Sequence, residues 1–209
     1  SMAGYEVLTP REQGCCGALH LHAGRLGEAR RLGRGVLGAF DQKVDIVVTN
    51  AAGCGSAMRE YGHWLPDDPR AASLSRAVRD ISEVLVDAGL SFQPLEVTAT
   101  YHDPCHLVHG QRIRAQPRAL LKAIPGLTLV ELPESDLCCG SAGIYNLLEP
   151  EMADKLLELK VQRIAETGAR IVVTGNPGCL LQIAKGCRER GLEVELLHPV
   201  ELLDRALAS

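Results

Sequence analysis

Eight of the 209 residues are cysteine, about one in 26, and their spacing is not random. Cys138 and Cys139 are adjacent, Gly140 follows at once, and Cys179 lies forty positions after Cys139. Earlier in the chain Cys15 and Cys16 are adjacent, Gly17 follows, and Cys54 lies thirty-eight positions after Cys16. Cys105 stands thirty-three positions before Cys138, and its counterpart in the first set would fall upstream of residue 1. Cys187 is outside the pattern and reads as an ordinary buried or surface thiol. Clustered thiols in a chain without export features more often bind metal or do redox work than form a disulfide framework. The set Cys105, Cys138, Cys139 and Cys179 offers four thiolates, which suit an all-cysteine zinc site or an iron–sulfur cluster. No CxxC pair is present, and adjacent cysteines reach one zinc with difficulty but bind separate irons of a cluster more easily. Iron–sulfur is the favoured reading; zinc and a dithiol or structural role stay open. Cys15, Cys16 and Cys54 form the same kind of set with one thiol fewer.

The neighbours of these thiols fit that chemistry. Gly140 and Gly178 let the main chain approach a bulky cofactor, and helix N-termini beside the cysteines stabilise thiolate. His102, His106 and His109 flank Cys105. They read as surroundings of the site or a mixed His/Cys site on one view, and as caps and strand-end hydrogen bonds on the other, which is preferred. His20 and His22 read as polar partners and Asp103 as a turn residue. The Glu and Arg of 149–170 read as a solvated face. Tyr61 and Trp64 read as local packing or a partner contact.

The elements that must position these residues alternate between strand and helix. Strands are expected at 5–10, 44–50, 95–103, 127–133, 169–175 and 192–199; the β-branched run 44–50 reads as buried on both faces of a parallel sheet. Helices are expected over 26–40, 51–62, 74–89 with Ser73 as cap, 115–124, 150–167 with Pro150 at its start and Gly168 at its stop, and 200–207. A further helix leads from Asn176–Cys179 to near Gly191. The alternation implies an α/β fold with mainly parallel sheets. An internal repeat divides it into two Rossmann-like halves, 1–92 and 93–209. PREQGCCGAL matches PESDLCCGSA, VDIVVTNAAGC matches ARIVVTGNPGC, and VRDISEVLVDAG matches LLHPVELLDRAL. The first half reads as truncated, the chain as a fragment of a longer protein, and Ser1 before Met2 as a cloning remnant. A net charge of −4 without a basic cluster disfavours nucleic acid, and no apolar run approaches the roughly 20 residues of a transmembrane segment. A cytoplasmic protein, at most peripheral to the inner face of a membrane through partners, is expected.

With its duplicated CCG, the chain resembles the cysteine-rich CCG-domain family. That family includes the iron–sulfur subunit of glycolate oxidase, the CCG-bearing subunit of heterodisulfide reductase and lactate-utilisation iron–sulfur proteins. REQGCCGALHLHAG, NAAGCGSAM, YHDPCHLVHGQ, CCGSAGIYNLL and GNPGC look most like the C-terminal part of the glycolate oxidase subunit. The resemblance implies a redox subunit without a catalytic acid or base. It would pass electrons through a Cys-ligated cluster, a 4Fe-4S centre that an isolated domain can lose, between a flavoprotein dehydrogenase subunit and a quinone or cytochrome. It implies Cys105, Cys138, Cys139 and Cys179 as ligands of one site, and Cys15, Cys16 and Cys54 as ligands of another. Where heterodisulfide reductase has a terminal CxxC, this chain has Ala57 and Gln182. That departure weakens the alternative of a thiol–disulfide redox module. A structural zinc domain is the third expectation.

Overall fold

The computed structural model describes residues 3–40 and 44–208, so Ser1 and Met2 lie outside it. Strands β1 (Val47–Thr49) and β2 (Val78–Asp80) form a two-stranded parallel sheet. Four further strands are β3 (Val97–Tyr101), β4 (Leu127–Val130), β5 (Ile171–Val173) and β6 (Glu195–Leu197). They build a larger parallel sheet in the order β4-β3-β5-β6. Val97–Thr100 pairs with Leu127–Val130 on one side of β3, and Ala99–Tyr101 with Ile171–Val173 on the other. Alternating strands and helices in parallel sheets give the expected α/β fold.

From β3 the chain leaves toward β4; it returns to β5 on the far side of β3. The connections therefore diverge between β3 and β5, and a crevice opens at the carboxyl ends of those strands, where α/β sheets bind ligands. Three helices matter there. α9 (Pro150–Thr167) begins on a proline and stops at Gly168, whose φ of 63° suits a residue without Cβ. α10 (Pro177–Glu189) follows β5 directly. Leu157, Val161 and Ile164 of α9 and Ile183 of α10 pack with Val172, Cys139, Cys179 and Cys187 in one apolar cluster. Burial of each large aliphatic chain there is worth about 1.5–3 kcal/mol. The third, α7 (Ala115–Lys122), packs Leu120 and Leu121 against Ala99 and Tyr101 on β3.

The structure differs from the expectations in particular places. Residues 5–10 are not a strand, and Val7 and Leu8 are exposed. In the repeat, 5–10 corresponds to β4, which joins its sheet only through β3; among the described residues no strand before β1 takes the place of β3, so 5–10 lacks that neighbour to pair with. β1 is shorter than 44–50, and Val48 is 47% exposed, so that run is not buried on both faces. The 74–89 helix is broken: α5 (Ala71–Ala77) gives way to β2, then α6 (Ile81–Leu85). Ser73 lies inside α5 and caps nothing. The repeat explains the break. Asp80 corresponds to His198; Asp80 ends β2, His198 directly follows β6, and each caps a helix in a capping box, with Glu83 in α6 and Glu201 in α11 (Pro199–Ala206).

Tyr61 and Trp64 are buried with rings edge-on at 4.8 Å, so they are packing residues. They lie in an apolar cluster with Ala29, Val36 and Leu37 of α2 (Leu26–Ala39). The two halves of the chain touch closely. Ala52 N–H donates to the Gly175 carbonyl (3.1 Å), Gly53 N–H to Asn176 Oδ1 (3.2 Å), and His198 Nε2 meets the Asn50 carbonyl at 2.7 Å.

Candidate metal centre

Each CCG turn is built the same way. Its glycine has positive φ, 85° at Gly17 and 90° at Gly140. A Cβ on Gly17 would lie 2.8 Å from the Ala29 carbonyl oxygen of α2, and one on Gly140 would collide with the Ala153 carbonyl oxygen of α9. Only glycine meets both demands. The turn aims the glycine N–H back at the first cysteine, with Gly17 N 3.5 Å from Cys15 Sγ and Gly140 N 3.4 Å from Cys138 Sγ. Gly178 has a different use: a Cβ there would sit 2.8 Å from Ser141 Oγ, so its absence lets the start of α10 lie against the turn.

Three loops at the carboxyl ends of neighbouring strands bring four thiols together. Cys105 follows β3 and precedes a π-helical turn over His106–Gly110. Cys138 and Cys139 come in the loop after β4, and Cys179 lies in the first turn of α10 after β5. Cys105 faces Cys138, Cys138 faces Cys139, and Cys139 faces Cys179. Contact with the Cys105 and Cys139 thiols holds Cys138 far below the ordinary thiol range, and the Cys139 thiol does the same for Cys179. Cys105 and Cys139 are pushed up, first by those contacts and then by burial. Crowding among the four sulfurs thus lowers Cys138 and Cys179 and raises their neighbours Cys105 and Cys139. Cys139 and Cys179 are buried; Cys105 and Cys138 are half-buried and border the outside.

Residues far along the chain lock these loops. Asp103, wholly buried, takes a two-pronged ion pair from Arg118 of α7: Nη1 to Oδ1 at 2.8 Å and Nη2 to Oδ2 at 2.7 Å. Ser135 Oγ donates to the same carboxylate at 2.6 Å, and Asp103 N–H donates to the Ser135 carbonyl at 3.1 Å. Burial alone would raise the Asp103 pKa; the Arg118 and Ser135 hydrogen bonds outweigh it and hold the carboxyl below its ordinary range. Asp103 is therefore more than a turn residue: it ties the Cys105 loop to the Cys138 loop. Lys160 of α9, fully buried, donates to the carbonyls of Glu134 (2.7 Å) and Ser135 (3.3 Å). The solvated face expected of the Glu and Arg of 149–170 includes Arg163, which pairs with Glu134 and Glu166 at the surface. Asn176 Nδ2 reaches Cys179 Sγ at 3.4 Å while its Oδ1 takes the Gly53 N–H.

The histidines divide. His106 Nδ1 lies 3.6 Å from Cys105 Sγ and its Nε2 lies 3.0 Å from His22 Nε2, so the two halves meet beside the site. His102 is buried, caps no helix, and its ring acts on the Cys179 sulfur. His109 is exposed. In the first half Cys16 and Cys54 face each other, which raises Cys16 and lowers Cys54, while Cys15 is exposed and acts on Cys54 through its charge. Cys187 is buried in α10, and burial raises its pKa to about 11.

A parallel α/β scaffold carrying CCG turns over a crevice of gathered thiols defines a class, the CCG cysteine-rich domain proteins. The chain belongs to that family, described as "Cysteine-rich domain", which matches residues 1–59 and 99–184. It is 42% identical over 215 residues to the probable glycolate oxidase iron-sulfur subunit of Bacillus subtilis (strain 168), covering 97% of this chain and 48% of that protein. It is 33% identical to the glycolate oxidase iron-sulfur subunit of Escherichia coli (strain K12), covering 98% and 51%. It is 32% identical to lactate utilization protein A of Oceanobacillus iheyensis, covering 96% and 85%. The chain thus spans about half the length of the first two. Among the described residues no helix is long and apolar enough to cross a membrane.

Proposed function

We propose that this chain is an electron-transfer unit whose iron–sulfur cluster is held by Cys105, Cys138, Cys139 and Cys179. The observation that carries the reading is the meeting of four sulfurs from three loops at the carboxyl edge of the sheet. The donor set suits the group: soft thiolates, backbone N–H groups aimed at sulfur, and glycines where the main chain must come close. When bound, the cluster supplies one-electron oxidation and reduction. The protein's part is to hold and shield. Leu157, Val161 and Ile183 keep water from the Cys139 and Cys179 side, and half-buried Cys105 and Cys138 mark the side from which electrons enter and leave. The relatives named glycolate oxidase iron-sulfur subunit and lactate utilization protein A support an iron–sulfur subunit, and the parent complex proposed for it is a flavin-linked glycolate or lactate oxidase. In that setting a flavoprotein dehydrogenase subunit donates electrons and a quinone or cytochrome takes them. The nuclearity proposed is 4Fe-4S. Cys15, Cys16 and Cys54 belong to a second, related half-unit (1–92), and the first site belongs to 93–209.

Anaerobic reconstitution with iron and sulfide tests the reading. A broad visible absorbance, bleached by dithionite and restored by a quinone analogue, is expected. A colourless chain holding one zinc per molecule would replace the proposal with a structural zinc domain.

A further inference from the structure

Two histidines from opposite halves of the chain stand end to end on half-buried Cys105. His106 Nδ1 lies 3.6 Å from Cys105 Sγ, and His106 Nε2 lies 3.0 Å from His22 Nε2. The rings meet edge-on, with centroids 4.9 Å apart and planes at 66°. His22 ends the short helix Ala18–His22, which follows the first CCG turn. Its seat is on the second half: a Cβ added at Gly143, in the loop after Cys139, would stand 3.5 Å from His22 Cβ. Burial, and then the nearby His106 ring, push the His22 pKa below its ordinary value, so the His22 ring is neutral near pH 7.

A neutral imidazole has one N–H and one bare nitrogen, and the hydrogen bond made at one nitrogen decides what the other offers. Two Nε2 atoms 3.0 Å apart need one hydrogen between them. If His106 supplied it, His106 Nδ1 would be bare and would set a lone pair against the Cys105 sulfur. A sulfur that holds metal is a thiolate and only accepts. The arrangement free of that clash puts one hydrogen on His22 Nε2 and another on His106 Nδ1, aimed at the sulfur.

We propose that His22 and His106 form a chain of hydrogen bonds by which the first half sets the reduction potential of the cluster held by the second: His22 Nε2–H donates to His106 Nε2, and His106 Nδ1–H donates to the Cys105 sulfur. The inference rests on the electron-transfer reading for the identity of the bound group. A hydrogen bond to a cluster sulfur favours the reduced, more negative state and raises the potential. His106 acts on the sulfur, and His22 acts only through His106, as a positioning residue from the half that gives this site no thiol.

The test uses the full chain, reconstituted anaerobically with iron and sulfide and titrated electrochemically at pH 8, above the ordinary histidine pKa of about 6.5. His106→Leu and His22→Leu are each expected to lower the midpoint potential. His22→Gln, whose amide N–H donates to the same nitrogen, is expected to restore it. The double variant His22→Leu/His106→Leu is expected to fall no further than His106→Leu alone. A potential unmoved by His106→Leu, losses that add in the double variant, or a His22→Gln protein as low as His22→Leu would overturn the inference and leave electron transfer standing. A second measurement needs no variant. With Zn2+ in place of the cluster, two-bond 1H–15N spectra of the 15N-histidine chain are expected to show His106 protonated at Nδ1 and bare at Nε2; the opposite tautomer overturns the assignment. A chain that takes zinc but no iron sinks the electron-transfer reading, and this spectrum then decides the hydrogen-bond assignment by itself. A chain that binds neither metal overturns both.

Discussion

Substituting Arg118→Ala removes the cation paired directly with a carboxylate that has no access to water. Asp103 is 0% exposed and Arg118 only 14%. Both prongs of the pair are short, at 2.7 and 2.8 Å. Breaking such a buried pair from one side costs about 3–5 kcal/mol. Ser135 Oγ keeps its 2.6 Å bond to Asp103, which places the expected loss near 3 kcal/mol, a large part of the roughly 5–15 kcal/mol that holds a domain together. The pH dependence follows from the sign of the shift. In the native chain Asp103 has a depressed pKa, so its contribution is complete above the unfolded value of about 3.9 and fades as pH falls through the lower folded value. In the variant burial is opposed only by the Ser135 hydrogen bond and the charge of Arg114, the folded pKa rises, and protonation at falling pH relieves the cost. Urea unfolding followed by far-UV circular dichroism at pH 7 and near pH 4 reads both effects. The gap between the two proteins is expected to be widest at pH 7 and to narrow near pH 4. A loss below about 1 kcal/mol at pH 7, or a gap indifferent to pH, would refute the reasoning.

Further outcomes follow from the same loops. Gly140→Ala is expected to cost clearly more than Gly24→Ala in thermal unfolding. Both have positive φ, worth about 1–2 kcal/mol of strain in an L-residue, but Gly24 faces open space and Gly140 faces the Ala153 carbonyl; equal losses would count against the close approach of α9. Lys160→Met takes a donor from two carbonyls that each keep one other partner. The expected loss is about 1–2 kcal/mol, with faster protease cleavage between 134 and 138; unchanged cleavage would count against Lys160 as the anchor of that loop.

How far the chain could be read without coordinates depended on where the signal was stored. Pro150 and Gly168 are local punctuation, and α9 begins and ends where they stand. Leu74, Val78, Ile81 and Leu85 keep helical spacing straight through β2, so periodicity alone ran α5 and α6 together. The match of VRDISEV to LHPVEL held the better information, because Asp80 and His198 do the same capping work. The strand expected at 5–10 failed for a reason no window contains: the neighbour it needs is another strand. The same holds at the site. Repetition made the thiols conspicuous, but nothing local marks Arg118 or Lys160, since their buried partners are residues 15 to 26 positions away. For His102, its place beside Cys105 was visible; its nearness to Cys139 and Cys179 was not.

Iron content, variant by variant, bears most directly on the central claim. Single Cys→Ser variants at 105, 138, 139 and 179, with Cys187→Ser as control, would be reconstituted anaerobically and assayed for iron and acid-labile sulfide. The account predicts that each of the four variants loses most of its iron while the Cys187 variant retains the full complement. Iron content unchanged across the four, or lost equally in the control, would contradict it.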